Sequence, residues 1–196
     1  MQFAYFRARV NSGVRLLRIF RERIDMNDKR IMLWHFLAAL AYRTQKALCG
    51  APESFFSFRI APEVRTPLEL IRHMESVLGY ARTFFIGGEY NQVQLADVQL
   101  EVVRFHTTLE ELARLLESDA PLIDITPEKL LQGPFSDAMT HAGQIAMLRR
   151  LADSPVEPEN FIYADIRPDN LSPHQPAPVR PGNRYGEWRD AETETD

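Results

Sequence analysis

The sequence predicts an all-α protein, an antiparallel four-helix bundle, and three observations carry that expectation. Apolar residues recur at helical spacing through four separate stretches. Two Thr-Pro dipeptides, Thr66-Pro67 and Thr126-Pro127, are strong helix-start signals. No alternating run reads as a strand, and four amphipathic helices joined by loops bury their stripes most simply as a bundle. The chain has 196 residues with 45% hydrophobic content, enough for one domain with a substantial core.

Residues 1–25 differ in composition from the rest of the chain. Arg7, Arg9, Arg15, Arg18, Arg21 and Arg23 interleave with Val10, Val14, Leu17 and Ile24, and no acidic residue precedes Glu22. Three readings are open: a transit peptide, a basic arm for anionic surfaces, or an extension ahead of a natural start at Met26. The third is preferred, because a complete domain assembles without this segment.

Helix one is expected over residues 27–49, capped by Asn27, with Ile31, Trp34, Phe36, Leu37, Leu40 and Ala41 inward and Gly50 and Pro52 stopping it. Residues 53–65 read as a loop that tucks Phe55, Phe56 and Phe58 against the bundle. Helix two begins at Thr66-Pro67-Leu68-Glu69, a capping box, and carries Leu70, Met74, Val77, Ala81 and Phe84 on its stripe. His73 lies on that stripe. Helix three is expected over residues 95–118, with Val98, Val102, Phe105, Leu109, Leu112 and Leu116 inward and His106 turned toward solvent. Gly133-Pro134 interrupts the turn opened by Thr126-Pro127, so the main fourth helix is expected to start at Pro134, a single kinked helix being the alternative. Ala138, His141, Ile145 and Leu148 share one of its faces. Domain organisation is then residues 1–25 as a basic extension, 26–167 as the bundle, and 168–196 as a Pro-rich tail, partly disordered.

A formal charge of −4 argues against a nucleic-acid-binding protein. No apolar run is long enough to span a membrane. The lone Cys49 rules out an internal disulfide and suits a reducing cytoplasm, with organelle import as the alternative if the Arg-rich start is a transit peptide.

The chemistry concentrates on helix four. Asp137 and His141, four residues apart, project from the same side of a helix, and a carboxylate in a bundle core needs a cation or donors beside it. Together with His73 they form a two-imidazole, one-carboxylate set of the kind that binds zinc, iron, nickel or manganese and leaves positions free for substrate. Spacing alone leaves open a plain core network, with His73 bonded to Asp137 and His141 satisfied by a carbonyl. Tyr80 and Gln144 are candidates for contact with the ligands. Arg43 and Lys46 are candidates for holding an anionic substrate, although a solvated helix face accounts for both. His35, after Trp34, is expected to be an interior histidine. No glycine-rich phosphate loop, Cys-x-x-Cys or Ser-His-Asp arrangement is present.

Three stretches, LAYRTQKAL (40–48), RTPLELIRHM (65–74) and LLQGPFSDAMTHAGQIAMLRRLADSPVEPENF (130–161), resemble the DinB-like (YfiT/DinB) superfamily of four-helix-bundle metalloenzymes. The group is distinct from the DNA polymerase sharing that name. The resemblance covers about residues 27–167, and its most specific part is His-x-Gly-Gln-Ile from His141 to Ile145, with the distant His73. It implies a divalent metal held by His73, Asp137 and His141. Asp137 stands where the family commonly has a third histidine. It further implies a hydrolase or a transferase using a low-molecular-weight thiol such as bacillithiol or mycothiol, a small-molecule substrate, and a homodimer. A bundle of another class, catalytically idle and binding a ligand or partner, remains the alternative.

Overall fold

The computed structural model describes residues 27–182, so the expectations for residues 1–25 and for the end of the tail lie outside the described residues. The protein is all-α, with no strand among the described residues. Its α-helices among the described residues are α1 (27–48), α2 (Pro67–Ile86), α3 (Val98–Glu117), the single turn α4 (Pro127–Leu130) and α5 (Ser136–Leu151), with 3-10 helices at Glu53–Ser57 and Phe161–Tyr163. None of them is long and apolar enough to cross a membrane.

Start and stop signals act as sequence chemistry requires. Gly50 ends α1 with a φ of 64°, a left-handed conformation that glycine adopts without penalty. Thr66 and Glu69 complete a reciprocal capping box on α2, with Pro67 at the first helical position. The start of α3 falls three residues later than periodicity suggests, because the Asp97 carboxylate accepts from the Gln99 and Leu100 amides and fixes the cap there.

The fourth helix departs from expectation at Pro134. It does not begin there. The chain runs from α4 through a widened turn, Leu131–Phe135, directly into α5, with Gly133 bent out of helical geometry at φ −93°, ψ −107°. Pro134 has no N–H to donate, so the turn widens rather than closing a regular α-helical bond. The Ser136 hydroxyl donates to the Leu131 carbonyl at 2.6 Å and satisfies an acceptor left by the bend. The result is one kinked helix.

α2 lies against both α3 and α5. Leu37, Leu40, Met74, Leu78, Phe105, Leu109, Phe135 and Ile145 are fully enclosed in a core to which every long helix contributes. Ile31, expected inward, is exposed instead, because Leu33 and Leu37 carry the buried side of α1. Arg149 joins two helix ends: its buried guanidinium donates to the carbonyls of Ala47, Cys49 and Ser154. These acceptors are ones that helix termini otherwise leave unpaired.

A second polar layer lies between α2 and α3. Glu75 and Glu101 are fully buried, a rare placement for carboxylates. Glu75 accepts from Tyr90, Gln92 and Thr108, and Arg104 approaches it at 3.5 Å. Glu101 accepts from Arg72 at 2.7 Å, from the Leu95 amide at 2.8 Å and from Arg104. Gly79 makes room for Tyr90: a Cβ there would stand 2.3 Å from the phenol ring. Gly79→Ala is therefore expected to lower stability by roughly 1–2 kcal/mol, overpacking outweighing the better helix propensity of alanine. A thermal melt reads it, and a raised Tm would contradict this packing.

The segment after α5 does not leave the core at residue 167. Leu171 is buried in it, and Glu159 pairs with Pro181 in an isolated bridge. Prolines keep the segment largely extended apart from a short 3-10 helix, Phe161–Tyr163, and Leu171, the buried Glu159 and Phe161 dock it.

Candidate metal centre

The kinked fourth helix carries Asp137 and His141, and α2 brings His73 to meet them. His73 Nε2 lies 3.3 Å from Asp137 Oδ2, and His141 Nε2 lies 3.4 Å from Asp137 Oδ1. The two imidazoles meet edge to face with centroids 4.8 Å apart. One donor atom from each of the three residues falls within 4.8 Å of the others. His141 is buried, while His73 and Asp137 are half-buried, so the group is open on one side.

Hydrogen bonding orients the buried ring. His141 Nδ1 sits 2.8 Å from Gln144 Oε1, an acceptor, which places the ring hydrogen on Nδ1. Nε2 is buried, has no hydrogen-bond partner and faces the Asp137 carboxylate. Either a metal ion held between them or a proton on Nε2 that pairs it with Asp137 satisfies this contact. His73 is held below its ordinary basicity by burial first, then by the Arg65 guanidinium and by His141, with Asp137 pulling the other way. Neutral imidazole is the form that ligates metal. Donors about 2.0–2.1 Å from a tetrahedral ion stand about 3.3 Å apart, the spacing of both imidazole–carboxylate pairs. The three residues form a group that could hold a metal ion.

The other sequence candidates divide. Gln144 touches His141 through the Nδ1 bond. Tyr80 is exposed, packs edge-on against Phe84, and shares a cleft with Asp137 and Thr140. Arg43 and Lys46 are not brought to the triad. Arg43 stacks over the Phe161 ring at 4.1 Å, and Lys46 pairs with the buried Glu159 at 2.8 Å, in a separate cleft. Tyr42 also donates to Glu159, at 2.7 Å. His35 is exposed rather than interior, because it follows Trp34 onto the outer side of α1.

His106 reverses the expectation in the other direction. It is 2% exposed, with Nδ1 at 2.6 Å from the Leu171 carbonyl, because the docked segment covers the side of α3 that would otherwise meet solvent. Burial drives its pKa from 6.5 down to about 4. The folded state therefore binds this proton less readily than the unfolded chain, so the stabilisation is complete above pH 6.5 and is lost as pH falls toward 4. His106→Gln keeps a donor for Leu171 without the titration. The pH 7-to-4 loss of stability is expected to be smaller in this variant by roughly 3 kcal/mol. Urea melts at both pH values measure it, and identical losses would contradict the assignment.

The class defined by fold and site is an all-α protein with a His/Asp/His group able to hold a metal ion. Compared with known protein families, with curated proteins and with solved structures, the chain finds no match.

Proposed function

We propose that the chain is a metal-dependent enzyme of the DinB-like type, an antiparallel four-helix bundle in which His73, Asp137 and His141 bind one divalent ion. The observation that carries this reading is the buried, unpartnered Nε2 of His141, held facing Asp137 by the bond between Nδ1 and Gln144. A bound ion supplies Lewis acidity, activating water or a low-molecular-weight thiol as nucleophile toward a small-molecule substrate.

The residues supply the rest. Asp137 lowers the net charge of the centre and spans both imidazoles with its two oxygens. Gln144 fixes the tautomer and orientation of His141. The core around Met74, Ala138 and Ile145 excludes water from the inner side, leaving reactants to approach from the open one. Hydrolysis and thiol transfer both suit this arrangement, and the homodimer that the resemblance implies belongs to the same proposal.

Metal analysis of protein purified without a histidine tag is the test. One equivalent per chain is expected, absent from His73→Ala and His141→Ala. Metal-free protein whose alanine variants fold normally would instead support a catalytically idle bundle with a hydrogen-bonded core network.

A further inference from the structure

The triad sits between two clefts, and the one on the His141 side has a composition of its own. About 500 Å³ in volume, it is floored by His141 and Gln144. Its walls carry Ile60, Val64, Met147 and Leu151, apolar side chains left 39% to 53% exposed. Exposed apolar residues scattered singly need no explanation, but four around one opening beside a candidate metal centre form a contiguous apolar wall.

One cation stands at this opening. Arg65, just before the Thr66 cap, lines the cleft, is exposed and makes no ion pair among the described residues. Glu63 lies on the same rim and sets a limit on how many negative charges the opening accepts.

Resting on the metal-centre reading, we infer that this cleft is the substrate subsite and takes a small monoanion with an apolar tail. Its carboxylate would be held by Arg65 and by the ion that His73, Asp137 and His141 would bind, and its chain would lie along Ile60, Val64, Met147 and Leu151. A strongly hydrophilic or multiply charged substrate leaves the apolar wall unused and meets Glu63. Tail length adds affinity because each methylene removed from water contributes to binding, whereas the head alone gains only the ionic contacts.

The test uses tag-free full-length protein loaded with cobalt(II), titrated with octanoate, acetate and 1-octanol by calorimetry and visible absorption. Octanoate is expected to bind at least about tenfold tighter than acetate, the gain from burying two methylenes. Both carboxylates are expected to perturb the cobalt spectrum, and 1-octanol to leave it unchanged. Arg65→Ala is expected to weaken both carboxylates about tenfold, in line with loss of a charged hydrogen bond, while one cobalt per chain is retained. Met147→Glu is expected to abolish the preference for octanoate and keep acetate binding. Equal affinities for octanoate and acetate in cobalt-loaded protein would overturn the subsite and leave the metal centre standing. Octanoate binding that leaves the spectrum unmoved and ignores Arg65→Ala would do the same. Failure to take up cobalt would overturn both.

Discussion

His141→Ala is expected to abolish stoichiometric metal binding, while Gln144→Leu weakens it by about 10- to 100-fold without abolishing it. The contrast follows from geometry. His141 supplies the buried Nε2 that faces Asp137, so its loss removes a donor and leaves two. Gln144 only holds the ring, through Nδ1 at 2.8 Å, so its loss frees the tautomer and the rotamer and leaves all three donors present. Competition titrations with a chromophoric chelator rank the affinities, and circular dichroism checks the fold. Equal affinity of Gln144→Leu and the parent chain would show that the Nδ1 contact orients nothing. A His141→Ala protein that keeps one ion per chain would place the metal elsewhere.

Arg104→Met is expected to cost about 3 kcal/mol, the scale of breaking a buried ion pair by removing one partner. Arg104 contacts both Glu75 and Glu101, and both carboxylates are fully buried. Without it Glu75 keeps neutral donors only, and Glu101 keeps Arg72. For a chain of this length that loss lowers Tm by about 6–12 °C. Arg114→Met, on the same helix and bonded among the described residues to the Glu110 carbonyl one turn earlier, is the control and is expected to shift Tm by less than about 2 °C. Similar melting of the two variants would contradict a structural role for the buried layer.

The parts of the fold legible in sequence are those written locally. Thr66, Pro67 and Glu69 satisfy one another within a single turn, so the start of α2 needs no tertiary information. The inward positions of α3 follow one period: Val102, Phe105, Leu109, Leu112 and Leu116 are buried, and Val98, in the first turn, is half-buried. His73, Asp137 and His141 are legible as a set because two of them share a helix side and the third sits on an apolar stripe.

The features that escape a sequence reading depend on distant chain. His106 is buried because Leu171, sixty-five residues later, docks over it, and no periodicity within α3 contains that fact. The path through Pro134 turns on whether a wide turn or a break costs less, which depends on the packing of Phe135 against Phe36. The buried carboxylates do leave a trace. Ile71, Glu75 and Leu78 recur at four and three residues, as do Glu101, Phe105 and Thr108, so both acids lie on enclosed sides of their helices. An acidic residue in register with core positions, facing arginines one helix away, is a signal of a buried pair rather than a solvated surface.

The central claim is that three side chains share one ion, and a crystal grown with zinc and measured across the zinc absorption edge tests it most directly. The account predicts one anomalous peak per chain about 2.0–2.2 Å from the Nε2 atoms of His73 and His141 and from an Asp137 oxygen. A peak elsewhere, or none with His141 Nε2 bonded to water or to a protonated Asp137, would contradict it.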